Sequence, residues 1–125
     1  MATRSKTDIA TEFLTLCASG RVREAYDRHV AERFQHHNAW FPADRNSLLV
    51  AMEESAQAEP NKSFTVTQVI ESADRVAVLS HLRRDKVDAE YAVVHILRFQ
   101  DGKIVEMWDV AQAIPADSPN ALGMF

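Results

Sequence analysis

Residues 89–112 read AEYAVVHILRFQDGKIVEMWDVAQ. Two runs rich in β-branched and aromatic residues alternate along their length and are parted by Asp101 and Gly102, the composition of a β-hairpin. The turn has two readings. It is either a two-residue primed turn, or a type I turn in which Gly102 is left-handed and forms a G1 bulge. In the bulged reading Phe99 opposes Lys103, which places His95 opposite Met107 and leaves Asp109 one pair further along the same face. In the two-residue reading Asp109 moves to the other face, because a one-residue slip inverts every side chain. The bulged register is the one expected here.

On that register one face carries Tyr91, Val93, His95, Leu97, Val105, Met107 and Asp109, an apolar lining interrupted by one imidazole and one carboxylate. Ligand pockets are commonly lined in this way. Arg98 and Glu106 fall on the other face near Trp108, where an ion pair can lie across an aromatic surface.

Upstream, SFTVTQVIES (63–72) and RVAVLSHLRR (75–84) show the same alternation. The connections at Ala73-Asp74, around 84–88 and at Asp101-Gly102 are short, so four consecutive strands should pair as an antiparallel meander. The first sixty residues have the helical period instead. Ser5 and Asp8 stand at capping-box spacing before Ile9, Phe13, Leu16 and Cys17, and Gly20 closes that helix. Val22, Ala25, Tyr26, His29 and Val30 mark a second, shorter helix, and Phe34 to Asn38 a short extended piece. Asp44 or Asn46 can cap a third helix carrying Leu48, Leu49, Met52 and Ala56, ended by Pro60. Three helices followed by one sheet is an α+β layout, expected as a single domain over 1–125.

The 125 residues suffice for one hydrophobic core; 46% are apolar and 26% charged, an ordinary globular balance. The net charge of -4, with scattered Lys and Arg, argues against a nucleic-acid partner. No apolar run spans a bilayer and the polar start MATRSKTD has no signal-like segment, so no membrane partner and a cytoplasmic location are expected. Cys17 is the only cysteine, which reads as a buried small hydrophobe in a reducing compartment.

The order of three helices and a four-stranded meander, with DGKIVEMWDVAQ at 101–112, QHHN at 35–38 and the closing NALGMF, resembles the SnoaL-like (polyketide cyclase-like) family of the NTF2-like superfamily. The resemblance covers nearly the whole chain. It implies an NTF2-like, cystatin-like α+β cone: three N-terminal helices on a curved antiparallel sheet with a central pocket. It also implies a homodimer through the exposed sheet face. Some members resemble polyketide cyclases that close rings by aldol chemistry, with isomerases and dehydratases as distant relatives. His37 and Asn38 match the family's His-Asn pair, and Asp109 and Gln112 the end of its last-strand motif. The positions of His95 and Met107 are often Asp and His in that pattern, so this chain departs from it there.

Asp109 is the leading catalytic candidate. A carboxylate in apolar surroundings is suited to taking and returning a proton at a carbon next to a carbonyl. His95 or His81 could donate to the developing oxyanion, His81 on the premise that it faces inward with Ala77 and Leu79. The alternative for each is a satisfied polar group with no chemistry. His36 and His37 are adjacent on an extended segment and point to opposite faces, so at most one reaches the pocket; the resemblance favours His37. His37, Asn38, Trp40, Phe41, Met52, Tyr91, Val93 and Met107 are the candidate ligand-binding residues. Trp40 and Phe41 sit in a loop, where aromatics can close a pocket mouth or meet a partner subunit. His37, His81, His95 and Asp109 are metal-ligand types, but no HxH, HExxH or CxxC spacing supports a metal, and no cofactor is implied.

Two functions compete, beside a third possibility of a pure scaffold with a closed core and no cavity. One is an enzyme that transfers a proton on a small apolar carbonyl compound, leading to aldol cyclisation, isomerisation or dehydration. The other is a non-catalytic module that holds a small hydrophobic molecule or serves only to dimerise.

Overall fold

A computed structural model of the chain describes residues 4–125. Three helices, α1 (Lys6–Ala18), α2 (Val22–His29) and α3 (Arg45–Ala58), pack against one sheet of five strands: β1 (Val30–His36), β2 (Ser63–Glu71), β3 (Arg75–Arg84), β4 (Ala89–Gln100) and β5 (Lys103–Ala113). The sheet order is β1-β5-β4-β3-β2. Strands β2 to β5 form the expected antiparallel meander, and β1 adds to the edge parallel to β5.

The sheet is therefore mixed rather than purely antiparallel. In VAERFQH only Val30, Phe34 and His36 are buried, and no regular alternation announces a strand. Val30 belongs to this strand and not to the second helix: its φ of -105° and ψ of 128° are extended, and it pairs with Ile104. The pairing partner lies some seventy residues downstream, so the bonds that hold β1 are not local.

Both helix starts are capped as their sequences suggest. The Asp8 N–H donates to Ser5 Oγ at 3.1 Å, and Asp44, not Asn46, caps α3 by accepting from the Ser47 N–H at 2.9 Å. Helices α1 and α2 contribute Phe13, Leu14, Val22, Ala25 and Tyr26 to a core completed by Leu48, Leu49, Val76, Val78, Leu97 and Ile104. Phe13, Tyr26 and Phe34 pack ring against ring, tilted and then edge to face, with centroids 5.6 and 5.9 Å apart, tying both helices to β1.

The hairpin that decides the site follows neither simple reading. Asp101 and Gly102 both have positive φ, 54° and 77°, and Gln100 pairs with Lys103, so the turn is the two-residue primed type. The extra residue comes one pair later: Phe99 opposes Ile104 but Arg98 opposes Glu106, leaving Val105 as a bulge. Ile104 and Met107, three residues apart, thereby both join the core. The bulge restores the even offset that the turn alone would lose. His95 now pairs directly with Asp109, and Met107 pairs with Leu97 instead of with His95.

None of the helices among the described residues is long and apolar enough to cross a membrane.

Candidate functional site

A cavity of about 240 Å³ opens between the helices and the concave face of the sheet. Phe13, Leu14 and Cys17 of α1 and Met52 of α3 form its helical wall; Phe64, Leu82, Val93, Met107 and Ala111 form its sheet wall. Four polar side chains enter this apolar lining: His95, Asp109, Lys62 and Ser55. Burial pushes the Cys17 thiol up to about 12, so it lines the cavity as an inert apolar group.

His95 retains some accessible surface because it lines the cavity, yet its Nδ1 is buried and has no hydrogen-bond partner among the described residues. Desolvation lowers its pKa to about 4 against the opposing pull of the Asp109 charge. The imidazole is neutral at physiological pH, with one nitrogen a donor and the other an acceptor. The edge of Phe64 stands 6.3 Å from the His95 ring, centroid to centroid.

Asp109 is held from one side only. The Asn38 side-chain N–H donates to Asp109 Oδ2 at 2.9 Å, while Asn38 Oδ1 accepts from the Trp40 backbone N–H at 2.9 Å, an arrangement that sets the amide's orientation. Asp109 Oδ1 makes no hydrogen bond to the described residues. A second cavity of about 400 Å³, bordered by His37, Asn38, Ala39 and Trp40, shares Val93, Asp109 and Ala111 with the first. Asp109 thus stands where the interior cavity meets an outer mouth.

His36, rather than His37, is the inward member of the adjacent pair. It is 2% exposed, donates from Nε2 to the Pro42 carbonyl at 2.6 Å, and accepts the Asn38 backbone N–H at Nδ1 over 3.1 Å. It fixes the loop that carries Asn38 and so acts on Asp109 at second hand. The signal was present in the sequence: His36 lies two residues beyond Phe34 on one strand face, once the strand is recognised. His37 points to the convex face, stacked on Trp108 at 4.8 Å and 5°, with Nε2 2.7 Å from Glu106. The His37 ring and then the Arg98 guanidinium hold the Glu106 carboxyl below the usual carboxylate range. The expected Arg98–Glu106 pair is present at 2.9 Å, and Arg75 lies over Trp108 at 5.3 Å.

His81 is also outside the cavity. Val76, Val78 and Ser80 are the buried set of β3, so Ala77, Leu79 and His81 face the convex side. There His81 meets Glu90 at 2.8 Å and stacks on Phe125 at 4.7 Å. Alternation told which residues share a face but not which face is inside. Val105, expected in the lining, is the bulged residue and borders neither cavity; Tyr91 and Phe41 border neither as well. Trp40 is 86% exposed at the mouth, and Met52, Val93 and Met107 line the interior. The four metal-ligand types are consequently dispersed, with His37 and His81 on one side of the sheet and His95 and Asp109 on the other.

Lys62 and Ser55 were not singled out in the sequence. Lys62 precedes β2 at the same alternation as Phe64 and Val66, which pack inward, and that spacing was the available signal.

The SnoaL-like domain family matches residues 10–107. No curated protein matches the sequence. Among solved structures, IdmH of Streptomyces antibioticus, described as a candidate polyketide cyclase, superposes with a TM-score of 0.75 at 20% identity, over 87% of this chain and 93% of its own. An NTF2-like protein of unknown function from Cytophaga hutchinsonii gives 0.71 at 14% identity, over 90% and 95%. A candidate polyketide cyclase from Bacillus cereus gives 0.72 at 22% identity, over 83% and 72%. These likenesses concern the fold, which is that of NTF2-like proteins, while the domain match shows the family: the chain belongs to the SnoaL-like domain family.

Proposed function

We propose that the protein binds a small apolar carbonyl compound in the cone cavity and moves a proton on it, with Asp109 as acid/base and His95 as the hydrogen-bond donor to the carbonyl oxygen. The observation that carries this reading is the direct cross-strand pairing of His95 with Asp109 at the wall of an apolar cavity. In the step envisaged, Asp109 Oδ1 takes a proton from the carbon next to the carbonyl. The C–H electron pair becomes the carbon–carbon double bond, the carbonyl π pair moves to the oxygen, and a neutral His95 N–H stabilises the enolate. Return of the proton to another carbon is an isomerisation; attack of the enolate carbon on a second carbonyl is an aldol closure. Asn38 positions the carboxylate and leaves one oxygen available.

The test is hydrogen exchange of a carbon acid such as 2-tetralone in deuterated buffer, followed by NMR. Exchange above the buffer rate is expected, falling roughly 100-fold or more in Asp109→Asn, as for loss of a general base. Equal exchange in parent and variant would remove Asp109 from the mechanism. Val93→Trp, which fills the cavity, should abolish both exchange and binding. Binding that survives in Asp109→Asn with no exchange in either protein would favour a non-catalytic ligand-binding module.

The reading extends to a homodimer through the convex sheet face. Two adjacent apolar rows support it: Ile70, Ala77, Ile96 and Trp108, and beside them Leu79, Val94 and Val110. Ile70 and Val110 are 62% and 69% exposed, more apolar surface than an isolated face usually shows. Light scattering should give twice the chain mass, and Val110→Glu should give a monomer; a monomeric parent would end the proposal.

A further inference from the structure

Lys62 has no part in the proton transfer proposed above, yet it lines the same cavity. Its Nζ donates to Ser55 Oγ at 2.7 Å and forms no ion pair with the described residues. The carboxylate whose charge reaches it is already engaged: Glu59 accepts from Arg84 Nε and Nη2 at 3.1 and 2.7 Å. Asp109, the carboxylate of the interior lining, accepts from Asn38 and forms no ion pair with Lys62. An ammonium has three donors, and Ser55 Oγ is the one acceptor that Lys62 Nζ meets among the described residues. Burial accordingly lowers the Lys62 pKa, only partly opposed by Glu59. Lys62 is partly buried, and the one carboxylate whose charge reaches it is held by Arg84, so an anionic ligand group entering the cavity would give the ammonium a charged hydrogen-bond partner of its own.

The placement of the charges adds to this. Lys62 is shared between the interior cavity and a surface notch beside Glu59 and Pro60, whereas Asp109 is shared with the mouth beside Trp40. The two charged groups therefore mark separate ends of an apolar space.

We propose that Lys62 and Ser55 form an anion subsite at one end of the cavity, so that the ligand is a small apolar molecule bearing a carboxylate, or an equally acidic oxygen, in addition to its carbonyl group. The inference rests on reading the cavity as a ligand site. It assigns the ligand an orientation: acid towards Lys62, carbonyl towards Asp109 and His95.

The test compares 4-phenylbutyrate with 4-phenylbutanamide, nearly equal in shape and different in charge, by calorimetric titration near neutral pH. The acid should bind the parent protein about tenfold or more tightly than the amide, the size expected of a charged hydrogen bond. Lys62→Met should bring the two affinities together by weakening the acid much more than the amide; Lys62→Arg should keep the preference, and Ser55→Ala should reduce it by a smaller factor. Thermal unfolding of each variant verifies the fold. A parent protein that binds the amide as tightly as the acid, or a preference that persists in Lys62→Met, would overturn the subsite and leave the apolar cavity standing. Binding of neither probe by the parent would overturn the cavity reading together with it.

Discussion

The neutral imidazole of His95 has a measurable consequence for stability. Burial lowers its pKa from 6.5 to about 4 in the folded protein, while the unfolded chain keeps the ordinary value. Between these pH values the unfolded state binds a proton that the native state refuses, so stability rises with pH across the window and is lost as pH falls from 6.5 towards 4. At 1.36 kcal/mol per pKa unit, the loss on acidification is about 3 kcal/mol. The groups that share its cavity are Asp109 directly opposite, Lys62 and Cys17. Of these, Asp109 pulls the pKa upward, so Asp109→Asn should move the window to still lower pH. The assay is urea unfolding of the parent and of His95→Leu at intervals across this range. Groups remote from His95 contribute alike to both proteins and cancel in the difference, and the same comparison in an Asp109→Asn background removes the pair's own coupling. The parent should lose about 3 kcal/mol relative to the variant across the window. Parallel stability curves would refute the argument, as would an NMR titration of the His95 ring with a midpoint near its ordinary value.

Three further outcomes follow from packing and turn geometry. Gly102→Ala should cost about 1–2 kcal/mol in chemical denaturation, because its φ of 77° is left-handed while nothing lies within 4 Å to clash, so the loss is conformational alone. Leu97→Ala, at a fully buried position beneath the hairpin, should cost about 2–5 kcal/mol by the same measurement. Tyr26→Phe should be neutral or stabilising by up to about 1 kcal/mol, since the buried Tyr26 hydroxyl has no hydrogen-bond partner to lose; a large destabilisation would show that the hydroxyl is satisfied.

The site also shows how the fold divides labour. Met52, Val93 and Met107 enclose the cavity from rigid elements, whereas the loop bearing Asn38 and Trp40 is held by His36 through the Pro42 carbonyl and the Asn38 N–H. Loss of His36 should therefore disturb Asp109 without touching the cavity wall, an effect of positioning and not of chemistry.

Local patterning was sufficient for much of this. The caps at Ser5 and Asp44, the helices they open and the alternation of the four meander strands depend on side chains a few residues apart, which is why they were legible in the sequence. The motif residues around the Asp101-Gly102 turn were enough to bring His95 and Asp109 under consideration together. Their shared face, however, depended on the bulge at Val105, whose position is set by Ile104 and Met107 both packing into the core. Whether β3 buries Val76 and Val78 or Ala77 and Leu79 cannot follow from alternation, which is symmetrical between faces; the helices covering the sheet break that symmetry and leave His81 outside. The edge strand β1 exists through a ladder with β5, distant in the chain, and with it came the inward turn of His36. Sequence alone determined the helices, the four meander strands and the short list of chemical groups; tertiary packing decided the edge strand and which of those groups meet, because strand pairing, register and the choice of buried face are settled by long-range contacts.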